Sequence, residues 1–69
     1  MDARGLRCPL PRVRARDEMD LVVAGGVLEV LATDPGADHD LRAWSRRKGY
    51  ELQRADTAAG ELRFLIRRV

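Results

Sequence analysis

Between Gly26 and the Asp34-Pro35 pair runs Val27-Leu28-Glu29-Val30-Leu31-Ala32-Thr33, apolar or β-branched but for one acid. This stretch constrains the fold more than any other part of the chain. A continuous apolar run of this length, closed at both ends by turn-forming residues, reads as a strand buried in the middle of a sheet. With 69 residues and one cysteine the chain can form no internal disulfide, so its core has to come from packing other elements onto that strand. No repeat, linker or low-complexity segment divides it, and residues 1–69 read as one domain.

The flanking segments have their own periods. Met1 to Leu6 is long enough for a short terminal strand. A helix is expected from about Pro9 to Val23, with Ala15, Met19, Val22 and Val23 at helical spacing, the stem of Arg12 extending the stripe, and Gly25-Gly26 ending it. A second helix is expected from about Ala37 to Lys48: Ala37, Leu41 and Trp44 share a face, acids come early and bases late, and Gly49 follows. Tyr50–Ala55 and Glu61–Arg67 read as strands joined by Asp56-Thr57-Ala58-Ala59-Gly60, with Leu62, Phe64 and Ile66 alternating towards one face. The order is β-α-β-α-β-β. It predicts an α/β (α+β) two-layer sandwich: a mixed four-stranded sheet with two helices on one face.

Thirteen basic residues, only Lys48 among them a lysine, stand against eleven acids, for a formal charge of +2. Arg12, Arg14 and Arg16 lie on the first helix and Arg42, Arg46, Arg47 and Lys48 on the second, but Asp17, Glu18 and Asp20 interrupt any continuous stripe. Trp44, Tyr50 and Phe64 are the only aromatics, too few for a base-stacking platform, so direct nucleic-acid binding is not expected. The charges read as a solvated surface. There is no apolar stretch of the length that a signal peptide or a membrane helix needs, and the lone cysteine fits a reducing compartment, so a cytoplasmic protein without membrane attachment is expected.

That cysteine, Cys8, lies in Gly5-Leu6-Arg7-Cys8-Pro9-Leu10-Pro11. Proline lacks an N–H and clashes inside a helix but is tolerated in the first turn, so the two prolines place Cys8 at or beside a helix N-cap. Most isolated cysteines are inert apolar filler. A position next to Arg7 at a strand-to-helix corner is a poor place for filler, and an exposed thiol is expected instead. Free amides of the first turn, the helix dipole and the charge of Arg7 would then favour thiolate over thiol.

Other chemistries find little support. His39 falls in the early second helix and reads as an exposed helix histidine, so no Cys–His pair is assigned. One Cys and one His with Asp38 and Asp40 fall short of a zinc site, and the two acids read as favouring the helix N-terminus. Gly25-Gly26 follows a helix instead of opening one, which excludes a phosphate loop, and Ser45 has no partner for hydrolysis. No cofactor or metal is expected.

The run Asp2-Ala3-Arg4-Gly5-Leu6-Arg7-Cys8-Pro9-Leu10-Pro11, the Asp34-Pro35 pair and the closing Phe64-Leu65-Ile66-Arg67 resemble the TusA/SirA-like small sulfurtransferases. That resemblance implies the same two-layer fold and a cysteine that accepts sulfane sulfur as a persulfide and relays it to another protein. Carried over by position, Cys8 would bear the sulfur, Pro9 and Pro11 would shape the helix start, and Gly5 would let the backbone turn. Asp34 would be a docking or orienting carboxylate, although Asp34-Pro35 also reads as a turn that caps the second helix. A cysteine desulfurase or rhodanese-like donor and an acceptor protein with a reactive cysteine are the implied partners, in tRNA thiolation, molybdenum-cofactor supply or sulfur oxidation. Leu10 departs from those members that carry Glu between the prolines. The terminal strand is shorter than is usual there. Two readings outside the resemblance stay open: a non-catalytic protein- or RNA-binding module with basic helices, and a thiol redox sensor.

Overall fold

A computed structural model describes all of residues 1–69. In chain order the elements are β1 (Asp2–Ala3), α1 (Leu10–Met19), β2 (Val27–Ala32), α2 (Gly36–Lys48), β3 (Glu51–Arg54) and β4 (Leu62–Arg67). The strands form one sheet in the order β1-β2-β4-β3, with β1 parallel to β2 and the other neighbours antiparallel. The expected mixed four-stranded sheet with two helices is therefore what forms.

Composition explains why β4 and not β3 pairs with β2. Phe64 and Ile66 of β4 are fully buried and stand opposite Val30 and Leu28, so pairing here places four apolar side chains on one face. In β3 only Leu52 is half-buried, whereas Glu51, Gln53 and Arg54 are exposed. A charged edge of that kind resists pairing with a further strand.

Both helices cover the same face. Ala15 and Met19 of α1, and Ala37, Leu41 and Trp44 of α2, are at most 3% exposed and join Ala3, Leu28, Val30, Ala32, Phe64 and Ile66 in one core. Tyr50 extends it by packing edge-on to Trp44, ring centroids 5.5 Å apart. The other face of the sheet is bare. Val27, Glu29 and Leu31 alternate with the buried residues of β2, and Val27 is 49% exposed. The central strand is thus covered on one side only, and its near-continuous apolar run overstated its burial.

Two boundaries differ from expectation. α1 stops at Met19, not Val23. Beyond it Leu21 N–H bonds Glu18 O at 3.0 Å and Val22 N–H bonds Met19 O at 3.0 Å, a tightening that ends the α-helical ladder. The Arg68 guanidinium then donates to the carbonyls of Met19 (3.0 Å) and Val22 (2.8 Å), partners that the last turn otherwise lacks. Gly25 does not cap the helix; its N–H bonds Arg68 O at 2.6 Å. Leu21 and Val23 are consequently 82% and 77% exposed. The terminal strand is only two residues long, although Leu31 N–H to Met1 O at 3.0 Å carries its pairing one residue further back. α2 closes as expected, with Gly49 left-handed at φ 76°.

Candidate functional site around Cys8

The corner between β1 and α1 begins at Gly5, whose φ of +81° suits glycine and whose N–H donates to Thr33 Oγ1 at 2.9 Å. Pro9 is the N-cap of α1, Pro11 lies inside the first turn and is buried, and Cys8 stands just before the cap, exposed. The Cys8–Pro9 peptide is cis.

α2 begins directly beneath this corner. A Cβ placed on Gly36, the first residue of α2, would lie 3.6 Å from Cys8 Cβ. Asp34, in the turn from β2 to α2, accepts the Cys8 N–H through Oδ2 at 2.5 Å and the Gly36 N–H through Oδ1 at 3.1 Å. One side chain therefore caps the turn and ties the cysteine backbone to it. The hydrogen bonds from Cys8 and Gly36, helped by the charge of Arg7, hold the Asp34 carboxyl below the usual carboxylate range against a partial desolvation that opposes them.

The surroundings of the thiol work against the thiolate expectation. The Cys8 thiol is pushed up, first by partial desolvation, then by the charges of Asp40 and Asp34; Arg12 pulls the other way. The reason lies in the prolines. Pro9 and Pro11 contribute no N–H to the first turn, and the Leu10 N–H is already bonded to Arg7 O at 2.8 Å, so fewer amides are left to face the sulfur than a helix start without prolines would offer. Arg7 acts on Asp34. What crowds the thiol is a pair of carboxylates.

Sequence reasoning missed Asp40, Arg12 and Gly36 as parts of this site. Arg12 Nε donates to Asp40 Oδ2 at 3.1 Å, joining α1 to α2 beside Cys8. Asp38, expected to act with Asp40 at the helix start, turns to Arg42 and Arg54 instead, each at 2.5 Å. His39 is exposed on α2. Ser45 is buried and its hydroxyl has no hydrogen-bond partner. No group of three or more His, Cys, Asp or Glu side chains is placed to hold a metal ion, and no helix is long and apolar enough to cross a membrane.

Comparison with known proteins gives a consistent result. The family described as "Sulfurtransferase TusA" matches residues 1–68. The chain is 41% identical over 68 residues to "Sulfur carrier protein TusA" of Allochromatium vinosum, covering 99% of this chain and 90% of that protein. The protein of the same name from Pseudomonas putida is 35% identical over 68 residues, with 99% and 85% covered. A crystal structure of a SirA-like protein from Desulfitobacterium hafniense superposes with a TM-score of 0.84 at 30% identity, covering 96% of this chain and 90% of that one. Profile, sequence and fold agree over nearly the full length, and the chain belongs to the TusA family of sulfurtransferases.

Proposed function

We propose that this protein is a sulfur carrier in which Cys8 accepts sulfane sulfur as a persulfide and hands it to a cysteine of an acceptor protein. The observation that carries the reading is an exposed, solitary thiol at the Cys-Pro-Leu-Pro corner of a chain whose relatives bear the name sulfur carrier.

In the loading step the Cys8 sulfur attacks the outer sulfur of a donor persulfide, the donor S–S bond breaks, and the donor cysteine leaves as thiolate and takes up the proton that Cys8 gave up. Release is the same exchange with Cys8 as the leaving group. Neither step changes the net oxidation state, so no cofactor is called for. A cysteine desulfurase or a rhodanese-like protein fits the donor side, and both would meet the carrier in a reducing compartment such as the cytoplasm. Cys8 is the sulfur-bearing residue, Pro9 and Pro11 set the corner, Gly5 makes its turn, and Asp34 fixes the cysteine backbone.

The test is intact-mass analysis after incubation with a cysteine desulfurase and cysteine. Wild type should gain one sulfur atom that a reductant removes, and Cys8→Ser should gain none. A wild-type protein that stays unmodified, or an adduct that persists in Cys8→Ser, would sink the reading.

A further inference from the structure

Between the second half of α2 and the start of β3 lies a cavity of about 210 Å3, lined by Arg42, Ser45, Arg46, Tyr50 and Leu52. Arg42, Ser45 and Arg46 stand three and four positions apart and so share one face of the helix. Tyr50 and Leu52, both half-buried, form the opposite, more apolar wall, and the Tyr50 N–H, bonded to Ser45 O at 2.9 Å, ties that wall to the helix. β3 is the last strand of the sheet, so the cavity opens to solvent at the sheet edge. The helical wall carries donors that nothing in the chain answers. Arg46 enters no ion pair, and Arg42 meets Asp38 through Nε alone, so the terminal nitrogens of both guanidiniums lack an acceptor. Ser45 is 2% exposed and its hydroxyl has no hydrogen-bond partner, whereas buried hydroxyls are normally bonded. No acidic side chain lines the cavity.

We propose that this cavity is a docking site for an acidic side chain of a partner protein, its carboxylate lying between Arg42 and Arg46 and one oxygen accepting from the Ser45 hydroxyl. Charge complementarity selects the group: guanidiniums match the two oxygens of a carboxylate. Size selects its source. Sites that enclose a free small molecule run to roughly 300–1,000 Å3, and this one is smaller and open, room for one side chain presented from outside. The Tyr50 and Leu52 wall suits the methylenes of a glutamate and an aliphatic neighbour. From Gly36, beneath Cys8, to Ser45 the helix rises about 14 Å, so a partner seated here leaves the thiol free. The inference goes beyond sulfur carriage and does not depend on it.

Trp44, the only tryptophan, packs edge-on to Tyr50 and reports occupancy of the cavity through its emission. The full chain is titrated with a short end-blocked peptide of glutamate and leucine; a saturable shift is expected, and none with the glutamine analogue. Arg46→Gln removes a guanidinium that makes no ion pair in the chain, and it should weaken binding about three- to fivefold, the size of a solvent-screened ion pair. Arg14→Gln removes an equally unpaired charge from α1 and should leave binding unchanged. Ser45→Ala should weaken binding by the same factor as Arg46→Gln and leave the free protein at least as stable, because it deletes a hydroxyl that nothing satisfies. Thermal unfolding confirms that each variant is folded. Equal losses in Arg46→Gln and Arg14→Gln would reduce the effect to net charge and overturn the proposal. So would wild-type binding by Ser45→Ala, no response to the peptide, or a response to inorganic phosphate or a short RNA at lower concentration than to the peptide. The titration uses no sulfur donor, so a Cys8 that fails to load sulfur leaves its outcome standing.

Discussion

Replacing Gly36 separates the space beneath Cys8 from the stability of α2. A Cβ there would meet Cys8 Cβ and Asp34 Oδ1 at 3.6 Å and Asp34 Oδ2 at 3.9 Å, all ordinary van der Waals distances, and the N–H that Asp34 accepts is retained. Gly36→Ala therefore introduces no clash and removes some freedom from the unfolded chain. In a helix interior that exchange gains about 0.5–1 kcal/mol. At the first helical residue the lower end applies, so a gain of about 0.5 kcal/mol is expected. For a domain of this size that corresponds to a rise in Tm of about 2–4 °C. Thermal and urea unfolding would measure it. Gly36→Leu starts from the same first carbon but sends further atoms towards Cys8 and Asp34, and it should forfeit the gain and slow alkylation of Cys8. Destabilisation by Gly36→Ala of about 1 kcal/mol or more would refute the space deduced around Cys8. So would alkylation of Gly36→Leu at the wild-type rate.

Three further outcomes are expected. Phe64→Ala empties a fully buried site opposite Val30 and should cost about 3–5 kcal/mol, enough to unfold most of a small domain at 37 °C; urea titration of Phe64→Ala beside Phe64→Leu checks it, and a cost below about 1.5 kcal/mol would place Phe64 outside the core. On the acid side, hydrogen bonds from Cys8 and Gly36 to Asp34, from Arg42 and Arg54 to Asp38, and from Arg54 to Asp56 depress these carboxyls below their unfolded value of 3.8, so their stabilisation is complete above that pH and fades as pH falls through the folded values. Cys8 has the opposite sign: its folded value is raised above 9.0, so its contribution is complete below that pH and is lost as pH rises through the folded value. Cys8→Ser should therefore lose less stability than wild type on the alkaline side, and matching alkaline arms would contradict the raised thiol.

The parts of the fold legible in the sequence were those whose signal is local. The β2 run ends at turn residues, α2 carries its apolar face, its charge order and its terminal Gly49 together, and Phe64 and Ile66 alternate inwards as their spacing indicates. The end of α1 was illegible because Val22 and Val23 continue its periodicity, whereas the arginine that closes the helix lies 46 residues from Val22 in the chain. The site divides in the same way. That Cys8 is exposed at a proline corner could be read directly. That its neighbours are carboxylates could not, since Arg12 and Asp40 are 28 residues apart and meet only when α1 packs on α2. One part of this was legible: a first turn with proline inside it and proline at its cap offers fewer amides to a helix-mouth thiolate.

Carboxylates beside a sulfur carrier's cysteine have a consistent chemical effect. In thiol exchange the more basic sulfur is the stronger attacking group and the poorer leaving group. The charges of Asp40 and Asp34 act to make Cys8 more basic, which on the proposed carrier reading would leave fewer molecules ionised, each thiolate attacking a donor harder and parting from its sulfur more slowly. A lowered thiol would have the reverse character, easily ionised and easily unloaded. On the proposed reading Cys8 holds sulfur between two encounters, and retention there matters more than speed in free solution. The charges that lend that retention lie on α2 and the turn before it, facing the exposed thiol. An acceptor or donor surface bringing positive charge to this corner would offset Asp34 and Asp40 at the moment of contact and favour departure of the Cys8 thiolate. Release would then be coupled to docking by electrostatics alone, with no moving part in the carrier.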